Sequence, residues 1–241
     1  MITLTPRLAA AASFVRPDSL LLDVGTDHAY LPIHLCEQGR RSPSVASDIN
    51  EGPVERATAH VAMSGLSDRI TVVRTDGLTG LDRLADDTRP LDVVICGMGG
   101  ELIASILSAA PWIKRSGTRL ILQPMTHPEK LREYLLSSGF APVAERLCAE
   151  PHPKGGERIY QIICAEYTPH ADTPAYSPAE LQTGRLYPPE DADLHRQLIE
   201  KTLHAATLCA DARRLAGLDT SAEDATVASL RAQLPNIGGH S

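Results

Sequence analysis

Glycines and acidic residues recur where four short apolar runs of the chain end. Asp23-Val24-Gly25-Thr26-Asp27-His28 closes the first run, and Asp48 closes the second. Asp76-Gly77 follows the third run, and Gly97-Met98-Gly99-Gly100 follows the fourth. Glycine lets a backbone approach a ligand closely, and a carboxylate accepts hydrogen bonds from a ribose diol or a base amine. The spacing therefore predicts one ligand site built from four strand ends.

The first of these turns distinguishes two classes of nucleotide cofactor. A dinucleotide-binding turn follows the pattern G-x-G-x-x-G, so that a pyrophosphate meets the N–H groups of a helix start. Here only Gly25 is in place, and Asp27 and Ala29 occupy the later positions of the turn. A carboxylate there repels a pyrophosphate and favours the sulfonium and ammonium groups of S-adenosylmethionine (SAM). The turn therefore favours SAM over NAD, whereas Asp48 fits the ribose of either.

The elements that must position these residues alternate between strand and helix. The apolar runs predict five strands, at Leu20–Val24, Ser44–Asp48, Ile70–Arg74, Leu91–Cys96 and Leu120–Gln123. Helical patterns lie between them, at His28–Gln38, Gly52–Ser64, Leu102–Ala109 and Pro128–Ser138. Apolar strands separated by helices indicate a parallel sheet covered on both faces, which binds ligands outside the carboxyl ends of its strands. Two further runs, Val143–Cys148 and Ile159–Cys164, predict an antiparallel hairpin at the edge of the sheet.

The composition changes after Tyr167, which predicts a second unit. We expect an α/β domain at 1–167, a proline-containing connector at 168–189 and a helical hairpin, coiled-coil-like, at 190–241. Gly217 is expected to end the first helix of this hairpin. Ser221 with Asp224 predicts a capping box at the start of the second.

Composition and charge exclude several classes of protein. The 241 residues carry 23 basic and 30 acidic side chains, a net charge of −7, which excludes a globally basic nucleic-acid binder. Aromatic residues make up 4%, too few for an RNA platform of stacked rings. No apolar run is long enough to span a bilayer, and the first residues do not form a signal peptide, so we expect a cytoplasmic protein. The five cysteines are scattered, with no CxxC pair, so we expect neither a metal site nor disulfides.

Two segments, Asp27–Pro32 (DHAYLP) and Gly97–Gly100 (GMGG), carry a specific family resemblance. Further matching positions are Arg7-Leu8, Asp23–Thr26, Asp48, Gly52-Pro53, Gly65-Leu66, Asp76–Leu78, Leu120–Pro124, Leu131–Glu133 and Tyr160. On these residues, over nearly its whole length, the chain resembles the TrmK family of bacterial class I SAM-dependent methyltransferases, which modify N1 of adenosine 22 in tRNA. The resemblance implies a seven-stranded Rossmann-like sheet, an antiparallel last hairpin and a C-terminal helical domain. Met125 departs from the asparagine expected in the family after Gln-Pro.

The strand ends and the resemblance together give a set of candidate site residues. Those assigned to the cofactor SAM are Arg7, Asp23, Gly25, His28, Asp48, Ile49, Asp76, Gly77, Gly97, Met98 and Gly99. Those assigned to the tRNA substrate are Tyr30, Gln123, Pro124 and Arg132. Tyr30 is expected either to stack on a base or to pack on the sheet. Gln123 is expected either to read an adenine edge or to make a hydrogen bond at the end of the sheet.

The end of the fourth strand bears on which atom is methylated. Enzymes that methylate an exocyclic amine commonly carry Asn or Asp there, whereas Gly97-Met98-Gly99 offers no such side chain. This favours a ring nitrogen, whose lone pair needs no prior deprotonation. Asp27 is then the candidate catalytic residue, because a negative field stabilises the cation that forms. Its alternative roles are helix capping, or holding Arg7 or His28.

Binding of tRNA requires cationic side chains despite the overall negative charge. The candidates are Arg16, Arg40, Arg41, Lys130, Arg132, Lys154, Arg158 and Arg185. The C-terminal hairpin is expected either to grip the tRNA or to mediate weak self-association. Three alternatives remain open from the residues: a methyltransferase acting on another RNA or base, an NAD-type oxidoreductase, and a non-catalytic RNA-binding protein.

Overall fold

The computed structural model describes residues 2–151, 155–169 and 174–234. Within these ranges the chain forms seven strands, β1 (Leu20–Val24), β2 (Ser44–Asp48), β3 (Ile70–Arg74), β4 (Leu91–Met98), β5 (Thr118–Pro124), β6 (Phe140–Pro151) and β7 (Glu157–Tyr167). The helices there are α1 (Pro6–Ala12), α2 (Tyr30–Glu37), α3 (Glu51–Met63), α4 (Gly100–Ser108), α5 (Pro128–Ser137), α6 (Pro178–Thr183), α7 (Ala192–Leu215) and α8 (Ser221–Gln233).

The seven strands form one sheet in the order β3-β2-β1-β4-β5-β7-β6. Strands β1 to β5 pair in parallel, and the β6–β7 hairpin joins β5 in antiparallel orientation, which confirms the predicted architecture. The strand order reverses between β1 and β4, where Val24 lies beside Ile95. Parallel sheets bind ligands outside the carboxyl ends of the strands at this reversal.

Side chains alternate between two buried faces of the sheet. Leu22 and Val24 pack with Ile95 under α4 and α5, whereas Leu21 packs with Ile121 on the opposite face, under α1 and α2. These side chains are at most 3% exposed. Burial of each one contributes roughly 1.5–3 kcal/mol, which fixes the strands and therefore the positions of their ends.

The first helix and the connector differ from the sequence predictions. Helix α1 was not predicted, because Ala9–Phe14 is too weakly apolar to show a buried stripe. Helix α6 lies within the predicted connector and begins with a capping box, in which Ser177 and Glu180 bond each other's backbone N–H groups. The capping box predicted at Ser221 is wrong, because the N-cap of α8 is Thr220 and it makes no side-chain cap bond.

Gly217, as predicted, follows the end of α7 in a left-handed conformation (φ +70°). The two C-terminal helices pack through a small core that includes Ala179, Ile199 and Leu230. The domain boundaries at 167 and 189 stay predictions.

Candidate functional site

A cavity of about 260 Å³ opens at the reversal point of the sheet. Its walls are formed by the start of α1, by β1 and the turn that follows it, by the start of α2 and by β4. The lining residues are Thr5, Arg7, Leu8, Asp23, Val24, Gly25, Thr26, Asp27, His28, Tyr30, Leu31 and Cys96. Five of the predicted cofactor and catalytic residues therefore share one cavity with Tyr30, which was assigned to the substrate.

Two glycines make room for neighbouring side chains at this end of the sheet. Gly25 has a left-handed φ of +77°, and a β-carbon built on it would lie 2.1 Å from Cε of Met98. Gly97 has a φ of +82°, and a β-carbon there would lie 3.2 Å from Nη1 of Arg7. Both conformations are ones that residues with a β-carbon rarely adopt. The predicted positions Gly25, Gly97, Met98 and Arg7 thus meet at the β1–β4 reversal.

Gly99 and Gly100 serve a different purpose. A β-carbon on Gly100 would lie 2.2 Å from the carbonyl oxygen of His127, and the Gly100 N–H donates to the Thr126 carbonyl at 2.7 Å. A β-carbon on Gly99 would lie 3.1 Å from Oγ1 of Thr126. These two glycines let the β5–α5 turn pack against the start of α4, a packing role that the sequence analysis did not give to Gly99.

Asp23 is an acidic group buried in the cavity wall. The residue is 9% exposed, and burial raises the pKa of its carboxyl from 3.8 to about 6, against an opposing hydrogen bond from Thr26. The neighbouring Cys96 thiol is also shielded, and burial raises its pKa to about 12, so it is not a nucleophile at neutral pH. A buried carboxylate of this kind is stabilised by a cationic ligand.

Asp27 lies at the mouth of the cavity and is held by two basic side chains. Its carboxylate accepts hydrogen bonds from Arg56 of α3 and lies 3.2 Å from Nε2 of His28. The hydrogen bond from Arg56 lowers the pKa of Asp27, so the group stays ionised at neutral pH. Asp27 does not cap α2, because the N–H of Ala29 donates to Thr26 Oγ1 instead. Of its alternative roles, only holding His28 is seen.

His28, Tyr30 and His60 form a cluster of stacked rings beside Asp27. The ring centroids are 4.8 Å apart for His28–Tyr30, 5.1 Å for His28–His60 and 5.4 Å for Tyr30–His60, with interplanar angles of 10–21°. Tyr30 is 38% exposed, so one part of the cluster faces solvent. The sequence analysis missed His60 because it lies in the last turn of helix α3, far along the chain from any strand end.

The ends of β2 and β3 lie on the other side of β1. Asp48 accepts a hydrogen bond from the N–H of Asn50 at 2.8 Å, and the next residue, Ile49, is 52% exposed. Asp76 and Gly77 line a second cavity of about 190 Å³, which α4 closes from the opposite side. The acidic strand ends predicted to meet a nucleoside therefore lie at the same edge of the sheet as the first cavity.

Gln123 does not present its amide to a ligand. It is fully buried, and its oxygen accepts hydrogen bonds from Gly97 N–H at 3.1 Å and Arg7 Nη1 at 3.2 Å. Its nitrogen donates to the carbonyl of Pro124, which is itself buried, and to Sδ of Met125. The predicted reading of an adenine edge is wrong for this arrangement, and the alternative, a hydrogen bond at the end of the sheet, is what the structure contains.

Arg132 lies outside the site. Its side chain is fully buried and bonds Glu145 at 2.5 Å, Gln161 at 2.8 Å and the carbonyl of Leu181 at 2.9 Å. The prediction that Arg132 contacts substrate is wrong, because its guanidinium is enclosed between α5, the hairpin and α6. A buried arginine with a single acidic partner has no sequence signal that separates it from a surface arginine.

Most of the other basic side chains predicted to contact phosphate already bond other groups of the protein. Arg16 bonds the buried Asp92 at the amino end of β4, and Arg40 is 6% exposed and bonds backbone carbonyls. Lys130 pairs with Glu133, and Arg185 pairs with Glu180. Arg41 is exposed, Arg158 lies at the site edge of the sheet, and Lys154 lies outside the described residues.

The donor set fits a SAM-like group. Buried Asp23 is suited to a cation, Arg7 to a carboxylate, and the Asp48 and Asp76 ends to a nucleoside. Gly25 and Gly97 leave room for the side chains of Met98 and Arg7 beside them. Among residues 2–151, 155–169 and 174–234, no cluster of three or more His, Cys, Asp or Glu side chains is arranged to hold a metal ion. In the same ranges, no helix has the length and apolar character needed to cross a bilayer.

Comparisons with known proteins agree with this geometry. Residues 4–163 match the family described as "Methyltransferase domain". The chain is 32% identical to the tRNA (adenine(22)-N(1))-methyltransferase of Bacillus subtilis (strain 168) over 188 residues, which is 78% of this chain and 74% of the relative.

Two solved structures extend the likeness over almost the whole chain. The B. subtilis M1A22 tRNA methyltransferase TrmK has a TM-score of 0.72 at 26% identity, with 98% of each chain covered. Streptococcus pneumoniae Sp1610, solved in complex with S-adenosyl-L-methionine, has a TM-score of 0.78 at 29% identity, with 96% of this chain and all of that chain covered.

Proposed function

We infer that this chain, which belongs to the tRNA (adenine(22)-N1)-methyltransferase family, transfers a methyl group from SAM to N1 of adenosine 22 in tRNA. The observation that carries the inference is the buried carboxylate of Asp23 in an open, glycine-floored cavity at the sheet reversal. Such a cavity suits a positively charged cofactor and disfavours a pyrophosphate. The NAD-type alternative is therefore not supported.

We propose that residues on both sides of β1 hold the cofactor. The Asp23 carboxylate accepts hydrogen bonds from the ammonium group of SAM, and Arg7 pairs with the SAM carboxylate. Asp48 accepts hydrogen bonds from the ribose hydroxyls of SAM. Ile49, Asp76 and Gly77 border the adenine, and Gly25, Gly97 and Met98 shape the end of the sheet between β1 and β4. Gly99 contributes through its packing against the β5–α5 turn. When bound, SAM supplies an electrophilic methyl group on a sulfonium.

The residues at the mouth of the cavity act on the acceptor base. Tyr30, stacked with His28 and His60 and 38% exposed, supplies an aromatic ring for an unstacked adenine. N1 of adenine has an in-plane lone pair, so no side chain has to remove a proton before attack. Asp27 stays ionised and places negative charge near the ring that becomes cationic on methylation. The site therefore acts by positioning the adenine and by placing a negative electrostatic field beside it, rather than by base catalysis.

Access to N1 requires an exposed base. N1 lies on the Watson–Crick edge, so the adenosine must leave its stack to reach the cavity mouth. The surface that receives the rest of the tRNA, and any self-association through the C-terminal helices, stay predictions.

Methyl transfer to defined transcripts tests the function. Unmodified tRNA carrying adenosine at position 22 is incubated with methyl-labelled SAM and digested to nucleosides at neutral pH. We expect label in N1-methyladenosine, and none when adenosine 22 is replaced by guanosine. Label in an exocyclic methylamine, or equal label in the guanosine transcript, would contradict the proposal. Calorimetric binding of NAD but not SAM would point to the oxidoreductase alternative instead.

A further inference from the structure

Arg158 lies at the carboxyl end of the sheet and has no acidic partner among the residues that the structure describes. Strand β7 runs antiparallel to β5, with Leu122 beside Ile163, so residues before Ile163 lie at the carboxyl end of β5. Arg158 and Tyr160 are two such residues, and they project from the same face of β7 because side chains alternate along a strand. The hairpin thus brings two RNA-compatible side chains to the edge that carries the cavity.

Arg158 is held in place but only partly used. Its Nη2 donates to the carbonyl of Met125 at 2.7 Å, and its guanidinium carbon lies 5.4 Å from the centroid of the Tyr160 ring. Within the described ranges this is the one hydrogen bond of its five N–H donors, and no carboxylate there lies within ion-pair distance. The remaining donors form a preorganised fork that matches a phosphate or carboxylate.

The neighbouring Arg7 differs from Arg158 because it has an acidic partner and lines the cavity. The Arg7 guanidinium lies 5.9 Å from the same Tyr160 ring, but its Nε is 3.8 Å from Glu150 and its Nη1 bonds Gln123. Arg7 also lines the 260 Å³ cavity, whereas neither Arg158 nor Tyr160 does. An anion that meets Arg158 therefore lies outside the cofactor cavity, beside its mouth.

We propose that Arg158, stacked on Tyr160, binds a backbone phosphate of the RNA next to the target adenosine and so positions the base over the cavity. The inference rests on the proposed function, because a flanking phosphodiester is the anion that accompanies a base at the cavity mouth. Arg158 is a positioning residue and takes no part in methyl transfer. This geometry supports the sequence-based prediction that Arg158 contacts a phosphate of the tRNA.

Replacing Arg158 by glutamine separates the effect of its charge from the effect of its hydrogen bond to the Met125 carbonyl. Arg158→Gln keeps an amide donor for the Met125 carbonyl and removes the positive charge. The matched control is Arg83→Gln, which removes one charge from an exposed arginine in the short helical turn Asp82–Leu84 that precedes β4. Arg158→Lys keeps the charge and loses the planar fork. Melting temperatures of all three variants report folding.

Two binding measurements decide the proposal. Affinity for fluorescent unmodified tRNA is measured across a salt series with S-adenosylhomocysteine present, and affinity for SAM is measured by calorimetry. For Arg158→Gln we expect tRNA to bind about tenfold or more weakly, with the slope of log K against log salt reduced by roughly 0.7–0.9, and SAM affinity unchanged. Arg158→Lys falls between, and Arg83→Gln binds as the original chain does.

Each other outcome overturns the proposal in its own way. Weaker SAM binding with unchanged tRNA binding assigns Arg158 to the cofactor carboxylate. Unchanged binding of both with a lower melting temperature assigns it to bracing the Met125 turn. If the original chain methylates no tRNA, the proposed function fails. If it methylates adenosine 22 and Arg158→Gln binds tRNA normally, only this inference fails.

Discussion

Met98 covers Gly25 so closely that a β-carbon on that glycine would lie 2.1 Å from its terminal methyl group. The two residues come from β4 and from the end of β1, the strands between which the order of the sheet reverses. The shape of the cavity floor therefore depends on the absence of one side chain and the position of another.

Replacing Gly25 by alanine tests this contact. We expect Gly25→Ala to lose about 1–2 kcal/mol of stability from its left-handed backbone and to bind SAM at least tenfold more weakly, because Met98 is displaced into the floor. Gly39→Ala is the matched control, since Gly39 has a φ of +96° and nothing within 4 Å of the added carbon. Calorimetry and thermal unfolding of both variants separate strain from crowding. Equal SAM affinity in the two would refute a role for the contact.

The buried Asp23 predicts a pH dependence of cofactor binding. Burial raises its pKa to about 6, so below that pH the group is neutral and no longer attracts a cation. We expect the SAM dissociation constant to rise by up to tenfold per pH unit below about 6 and to level off above it. Calorimetry between pH 5 and 8 measures this curve. A dissociation constant independent of pH over that range would rule out Asp23 as the group that meets the cation.

The same carboxyl predicts a gain in stability when its charge is removed. The pKa is raised in the folded chain, so the folded state favours the proton, and the stability this gives is lost as pH rises from about 4 to about 6. Ionised Asp23 therefore costs the ligand-free protein up to about 3 kcal/mol at neutral pH. We expect Asp23→Asn to melt at a higher temperature at pH 7.5 than the original chain, and to bind SAM more weakly. A lower melting temperature at pH 7.5 would contradict this account.

Asp27 predicts a change in turnover without a change in cofactor binding. Asp27→Asn removes negative charge from the cavity mouth, and we expect kcat for tRNA to fall roughly 10- to 100-fold with the SAM dissociation constant within twofold. Because Arg56 lowers the pKa of Asp27, no rise of activity with pH near neutrality should depend on this group. Single-turnover methylation measures the chemical step. Arg56→Gln is the control, because it frees the carboxylate and should not reproduce the loss.

The ion pair between Arg132 and Glu145 predicts a change in stability alone. Burial works to raise the pKa of Glu145, but Arg132 and the backbone N–H groups of Arg185 and Leu186 outweigh it, so the pKa is lowered and the pair stays charged. Arg132→Met should cost about 3–5 kcal/mol by leaving a buried carboxylate, and Arg132→Met with Glu145→Leu should recover much of it. Denaturant unfolding measures both. Weaker tRNA binding by the folded double variant would restore Arg132 to the substrate site.

Much of the sheet was predictable because its signals are local. The first three strands match their predicted bounds residue for residue, since short apolar runs end at acidic or glycine residues. The helices α1 and α6 were missed because they are only seven and six residues long, too short for a helical period to show in the sequence.

The site was predictable only as far as strand ends reveal it. Asp23, Gly25 and Asp27 share a cavity, as the pattern indicated. The burial of Gln123 and Arg132 and the contact of His60 with Tyr30 depend on elements distant in the chain, and neither periodicity nor spacing reports such contacts.

The anchorage of Glu145 has a consequence for any attempt to isolate the sheet. Its carboxylate is satisfied by the backbone of Arg185 and Leu186, and Arg132 by the carbonyl of Leu181, all of them beyond the last strand. A chain cut after Tyr167 would strip these partners from groups that water does not reach. The seven strands would then form an incomplete fragment rather than an autonomous enzyme, and adding back 174–234 as a separate peptide should rescue their solubility.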